Sequence, residues 1–341
     1  MQSASEGPGV VVKRCLGVLL ACTCAQGALA QFEVVDPRFE IVDEIVFPAG
    51  FTSEICDIHF TDDGSQAFIV DDCEDSDAGI WRVDVLRDGS DRVTGFAAPV
   101  QLNTPGEELD AGLVLAPNGQ TLFTWVYDVG IGQLVSLTGA VEVTPVANYD
   151  PDYGGLDLLP SGPNAGDIVH SDYDLAQLYR HSYTPDGDDS YTVDPVGVLY
   201  ADFSGSLGSS VLGDVLFPTR GPLAGNALLA LYNDSTTQQS VAYFPLGADG
   251  EPADGVSPAL SFLVSGNNSV WGLAQDPLTG DLWLVDYGAD SGDILFTVLG
   301  ETDAGSFAIP ALGVAGQLAL ACLTALVGVV ALRRASVRAP V

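Results

Sequence analysis

A chain of 341 residues with 47% hydrophobic content can bury one large core or two small ones. Its charge is lopsided: between residues 31 and 308, six arginines and no lysine face 45 carboxylates, a formal charge of −39. Phosphate binding needs clustered Lys or Arg to displace counterions, so this surface excludes nucleic acid and anionic lipid as partners. The acidity has two readings, solvation in a saline habitat or calcium held by clustered oxygens, and solvation is the simpler.

Residues 1–30 read as a secretory signal. Lys13 and Arg14 precede an apolar run from Cys15 to Cys24, and Ala28-Leu29-Ala30 places cleavage between Ala30 and Gln31. Leu19-Leu20-Ala21-Cys22 also resembles a lipobox, which would leave a lipidated Cys22 at the mature end. With Cys15, Cys22 and Cys24 in the signal and Cys322 in the tail, Cys56 and Cys73 remain in the body. A hairpin turning at residues 62–65 brings the two together. A disulfide there would contribute on the order of 3 kcal/mol by closing the loop.

The body, residues 31–299, repeats one formula: a short apolar strand, a tight turn, and a second apolar strand ending in an acidic residue. The copies are DIHFTDDGSQAFIVDD from Asp57, GLVLAPNGQTLFTWVYD from Gly112, GLDLLPSGPNAGDIVHSDY from Gly155, GDVLFPTRGPLAGNALLALYND from Gly213 and GLAQDPLTGDLWLVDY from Gly272. Further strand candidates between copies, such as GIWRVDV and SVAYFPL, bring each unit to four strands. Four strands at a period of roughly 40 to 60 residues predict an all-β fold, a β-propeller. The last unit stops after three strands, and FEIVDEIVFPAG at the N-terminus supplies the fourth, which would lock the ring. That bookkeeping counts five blades, with six the alternative, and a β-sandwich is the runner-up fold, although it should not restart one strand–turn–strand formula five times.

Residues 300–308 form a polar linker to a tail, 309–341. Ile309 to Leu332 has 24 residues without a charge, about 36 Å of helix against roughly 30 Å of hydrocarbon. Arg333, Arg334 and Arg338 follow, so the positive-inside rule puts a single-pass transmembrane helix with its C-terminus in the cytoplasm and the body outside. The tail resembles a bacterial sorting signal of the IPTL-CTERM type through Ile309-Pro310-Ala311-Leu312 and the Arg333-Arg334 cluster, with Ala in place of Thr and no tryptophan before Gly316. The resemblance implies recognition by an envelope sorting protease. The body resembles the propellers of the soluble glucose and sorbosone dehydrogenase superfamily and its lactonase-like relatives, most clearly from Phe217 to Val298. Those enzymes usually have six blades and bind anionic pyrroloquinoline quinone through Arg and Lys, with a His base. This body has no Lys and reads Ser269-Val270 where that group has Arg-Pro. A tricarboxylate would be repelled here, so the resemblance implies the fold rather than the dehydrogenase chemistry.

Candidate sites are few. His59, His170 and His181 stand apart in sequence, and no Gly-x-Ser-x-Gly elbow is present. Asp57, His59, Asp157 and Asp214 fall on the innermost strands, where Asp57, Asp157 and Asp214 could hold a divalent metal, or cap strands instead. Asp71, Asp72, Glu74, Asp75 and Asp77 form the densest acidic run, a possible calcium loop that lacks the usual register; Asp186, Asp188 and Asp189 form a weaker one. The combined reading is an exported, envelope-anchored propeller acting as a binding or scaffold module. The alternative is a metal-dependent lactonase-like hydrolase or degenerate sugar dehydrogenase working in the channel. Cys56, His59 and Cys73, the departures of the first copy from the others, are the first places to look for specificity.

Overall fold

A computed structural model of the chain describes residues 32–46, 55–71, 78–148 except 105 and 107, 154–207, 211–232, 238–266, 270–286 and 294–302. The signal with Ala30 and Gln31, the acidic residues Asp72, Glu74, Asp75 and Asp77, Cys73, and the tail with Ile309, Pro310, Ala311, Leu312, Arg333 and Arg334 lie outside them. Among the described residues no helix is long and apolar enough to cross a membrane.

Two strands come first, β1 (Phe32–Val34) and β2 (Phe39–Val46). Blade 1 comprises β3 (Ile55–Phe60), β4 (Gln66–Asp71), β5 (Gly79–Arg87) and an outer strand in two pieces, β6 (Val93–Phe96) and β7 (Val100–Gln101). Blade 2 comprises β8 (Leu109–Leu115), β9 (Leu122–Val126), β10 (Gly130–Leu134) and β11 (Thr144–Asn148). Blade 3 has β12 (Leu156–Leu158), β13 (Ile168–Asp172) and β14 (Gln177–His181), then a separate hairpin, β15 (Tyr183–Gly187) and β16 (Ser190–Val193), before its outer strand β17 (Val198–Asp202). Blade 4 comprises β18 (Val211–Leu216), β19 (Asn226–Tyr232), β20 (Gln238–Pro245) and β21 (Ser261–Gly266), and blade 5 comprises β22 (Val270–Gln275), β23 (Leu282–Asp286) and β24 (Ile294–Glu301).

The fold is a five-bladed β-propeller, matching the repeat count and not the six blades usual in the group it resembles. The first strands β3, β8, β12, β18 and β22 each neighbour the next, and β22 returns to β3, so they ring a central channel. Ring closure uses the N-terminus: β2 is the outermost strand of blade 5, in the order β2-β24-β23-β22. A feature not legible in the repeat is β1, which adds a fifth strand to blade 4 by pairing Phe32 with Gly266 and Val34 with Val264. Both edges that β21 and β24 would otherwise expose are thereby covered.

Five hydrophobic cores lie one at each blade interface. Blades 5 and 1 share Ile58, Ile69, Trp283 and Phe296; blades 1 and 2 share Phe68, Ile80 and Leu122; blades 2 and 3 share Phe123, Trp125 and Ile168. Tyr200, Phe203 and Phe244 fill the next interface, and Leu228, Leu263 and Leu284 the last. The second strands are packed on both faces, so β9, β13 and β23 are buried along their whole length. Outer strands face solvent, and β17 accordingly starts with two exposed residues.

Candidate functional site

The channel has an upper face, where the first strands begin, and a lower face, where they end and turn into the second strands. Cys56, Gly112, Gly155, Gly213 and Gly272 occupy equivalent positions of the five copies, and there the neighbouring first strands approach most closely. A Cβ on Gly272 would collide with the Cys56 carbonyl, and one on Gly155 with the Asp214 carboxylate. On Gly112 it would lie 2.9 Å from Leu156 N, and on Gly213 3.0 Å from Trp271 O. Glycine recurs in the other four copies because the ring leaves no room for a side chain at those four contacts.

The three channel aspartates act across the same contacts. Asp57 accepts from its own neighbour Ile58 N at 2.8 Å and, with its other oxygen, from Gly112 N of blade 2 at 3.2 Å. Asp214 repeats the arrangement between blades 4 and 5, with Val215 N at 2.7 Å and Leu273 N at 2.8 Å. Asp157 takes Leu158 N and, in blade 4, Phe217 N, both at 2.7 Å. Burial pushes all three carboxyls up, Asp157 to about 7 and Asp57 and Asp214 well above the usual range, the last also through its proximity to Asp57. Both oxygens of each group thus accept from backbone donors, one in its own strand and one in the adjoining blade. Among the described residues no three His, Cys, Asp or Glu side chains are grouped so as to hold a metal ion.

The upper face is covered from within. Trp271, at the start of β22, is 3% exposed. Its indole Nε1 donates to Asp110 Oδ1 of blade 2 at 3.0 Å, and it packs with Cys56, Ala111 and Tyr173, from blades 1, 2 and 3. The second Asp110 oxygen accepts from Gly154 N at 3.0 Å, tying blade 3 to the same point. Sequence reasoning passed over Asp110 and Trp271, because a contact that crosses the ring has no signature in a linear repeat. Asp71 also has a local role: its Oδ1 accepts from Trp81 Nε1 at 2.6 Å and from Gly79 N at 3.1 Å.

At the lower face the channel widens into a cavity of about 450 Å³, within the range of small-molecule pockets. All five blades contribute: His59 and Phe60, Val114 and Leu115, Asp157 and Leu158, Leu216 and Phe217, and Ala274 and Gln275. Among the described residues its lining includes no Lys, Arg, Ser or Cys. His59, singled out from sequence, lies in this wall, and burial holds its imidazole down to about 4.

The other two histidines, distant in sequence, are brought together. On paired strands β13 and β14, Ile168 faces His181 and His170 faces Tyr179, so His170 and His181 are diagonal neighbours on one face. Their ring nitrogens are 3.0 Å apart, His170 Nδ1 to His181 Nε2. His181 Nδ1 lies 2.8 Å from the Asp194 carbonyl, which only accepts, so it is the protonated nitrogen there and Nε2 accepts from His170. Both rings are fully buried and held neutral by burial. His181 is therefore a buried residue at the end of β14. Asp186, Asp188 and Asp189 lie exposed at the tip of the β15–β16 hairpin, where Asp188 and Asp189 take positive φ of 53° and 63°. That hairpin leans on blade 2 through Gln133, whose amide accepts from Tyr191 N at 3.0 Å.

No family profile matches the sequence, and no curated protein matches it. Similarity to solved structures is confined to shape. A luciferin-regenerating enzyme superposes with a TM-score of 0.46 at 11% identity, over 78% of this chain and 95% of its own. TolB from Acinetobacter baumannii gives 0.39 at 13%, over 72% and 54%. An exo-β-1,3-galactanase from Phanerochaete chrysosporium gives 0.48 at 8%, over 76% and 64%. The class that the strand order and channel define is a five-bladed β-propeller with a lower cavity and a tryptophan-covered upper face.

Proposed function

We infer that this chain is an exported, envelope-anchored propeller that serves as a binding module, holding a small ligand in the lower cavity without transforming it. One observation carries the reading: Asp57, Asp157 and Asp214 each commit one oxygen to a backbone N–H of their own strand and the other to one of the adjoining blade, while the cavity below them is walled mostly by apolar side chains. The carboxylates hold the ring together, and the cavity supplies the contact surface. The signal at residues 1–30 exports the body, and the apolar span 309–332 with Arg333 and Arg334 anchors it, its C-terminus cytoplasmic until a sorting protease acts. In an oxidising compartment Cys56 pairs with Cys73, the two cysteines left in the body once the signal and the tail are set aside.

The full chain, incubated with lactones and with sugars plus an electron acceptor, is expected to show no turnover in calcium, in zinc or after chelation. Chelator-sensitive turnover of either class would establish the hydrolase or dehydrogenase instead. Fractionation of cells producing the full chain should place the body in the membrane fraction and open to protease from outside. Recovery from the cytosol would refute the anchored, exported reading.

A further inference from the structure

The polar side chains around the lower cavity are not equivalent: Asp157 and Gln275 are committed to the fold, Asp62 and Thr219 are exposed to solvent, and His59 is half-buried in the wall. Asp157 receives the N–H groups of Leu158 and Phe217. Gln275 accepts from Thr219 N and Arg220 N at 2.9 and 3.1 Å, and donates to the carbonyls of Arg220 and Gly280, both at 3.1 Å. His59 lines the same cavity, and its imidazole has no hydrogen-bond partner among the described residues. Aliphatic side chains from three other blades, Leu115, Leu158 and Leu216, share the wall with it.

We propose that His59 is the recognition group of the channel, and that its ligand is an uncharged molecule with an apolar body and a hydroxyl or carbonyl oxygen. The proposal rests on the binding reading above and names the ligand class. A neutral imidazole presents one donor and one acceptor, which suits a hydroxyl or carbonyl. Burial keeps the ring in that neutral form at ordinary pH. An anion would enter a wall with no Lys or Arg, past Asp62 at the mouth, in a body of formal charge −39. An ammonium would have to share Asp157 with the two backbone donors already bound to it. The leucine wall contributes most of the contact area, and the imidazole selects for the oxygen.

Four probes of one shape separate the contributions: naphthalene, 2-naphthol, 2-naphthoate and 2-naphthylmethylammonium, each titrated calorimetrically into the purified full chain. The expected result is 2-naphthol bound about 3- to 10-fold tighter than naphthalene, the value of one added hydrogen bond, with both charged probes weaker than 2-naphthol. His59→Leu should equalise naphthol and naphthalene, and His59→Gln, which keeps a donor and an acceptor, should retain the preference. In the unmodified chain, the His59 imidazole nitrogen resonances should move with 2-naphthol and stay in place with naphthalene, which tests the assignment even where a variant fails to fold. Equal affinity for naphthol and naphthalene, a preference surviving in folded His59→Leu, or tighter binding of a charged probe overturns the role of His59 while leaving a binding channel. Failure of all four probes to bind folded protein overturns the channel reading itself.

Discussion

Gly155 illustrates how the ring constrains single residues. A Cβ there would sit 2.5 Å from Asp214 Cα and 2.7 Å from its carboxyl carbon, and neither can move without shifting β18. Gly155→Ala is therefore expected to cost about 1–3 kcal/mol by overpacking, read as a lowered urea midpoint. An unchanged midpoint would mean that the first strands are not in contact. Protons act at the same scale with two opposite signs. Asp57, Asp157 and Asp214 have raised folded pKa values, so their contribution is greatest at low pH and is lost as pH rises, for Asp157 through about 7. His59, His170 and His181 have lowered ones, so theirs is present above about 6.5 and is lost as pH falls below it. Between pH 8.5 and 7.5 the imidazoles are neutral in both the folded and unfolded states, so the carboxyls dominate and the melting temperature should rise on acidification across that window, then level or turn at lower pH as the imidazoles oppose. A fall in melting temperature between pH 8.5 and 7.5 would contradict the assigned burial.

At the scale of elements, the ring depends on what joins blade 5 to blade 1 and on the two strands lent by the N-terminus. Arg87, on β5, forms a fork with Asp276 at the end of β22, Nη1 to Oδ2 at 2.7 Å and Nη2 to Oδ1 at 3.0 Å. The Asp276 side chain is 1% exposed, so Arg87→Ala would strand a buried charge at a cost of about 3–5 kcal/mol. Arg87→Lys should recover only part of that in a denaturant melt, because an ammonium cannot make the fork. Strands β1 and β2 are fixed to blade 4 through Arg38, which bonds Asp36 Oδ2 at 2.6 Å and the Pro222 carbonyl at 3.1 Å. Deleting residues 32–46 would open the edges of β21 and β24 together. The expected outcome is aggregation on size-exclusion chromatography; a monomer with an unchanged melt would show that the closing strands are dispensable. The sequence hides the β15–β16 hairpin, because AQLYRHSY at 176–183 and TVDPVGVLYADF at 192–203 each carry the pattern of a single strand. Asp188 and Asp189 at positive φ make the tight turn, and Pro195 precedes the true outer strand.

For the molecule as a whole, carboxylate repulsion opposes compaction, and the body has few cations to offset it. Raising NaCl from about 0.05 M to 1 M shortens the screening length from over 10 Å to roughly 3 Å, so the melting temperature should climb by several degrees. A flat or falling salt profile would show that the surface charge is not a cost to the fold. The sequence by itself determined the strand–turn–strand repeat, the blade count and the closing role of FEIVDEIVFPAG, because each blade is a local unit whose apolar runs and turn residues lie close together in the chain. Only the tertiary structure decided what the singled-out residues do. Asp57 and Asp214 reach the next blade 55 and 59 residues on, Trp271 crosses the channel to Asp110, and His170 meets His181 on the diagonal of a ladder. Each contact depends on ring closure or register, which fix positions far apart in sequence and leave no local pattern. His59 stood out in the sequence only as a residue that the other copies lack, and the packing of five blades around it is what makes it an uncommitted polar group set in the cavity wall rather than exposed at the surface.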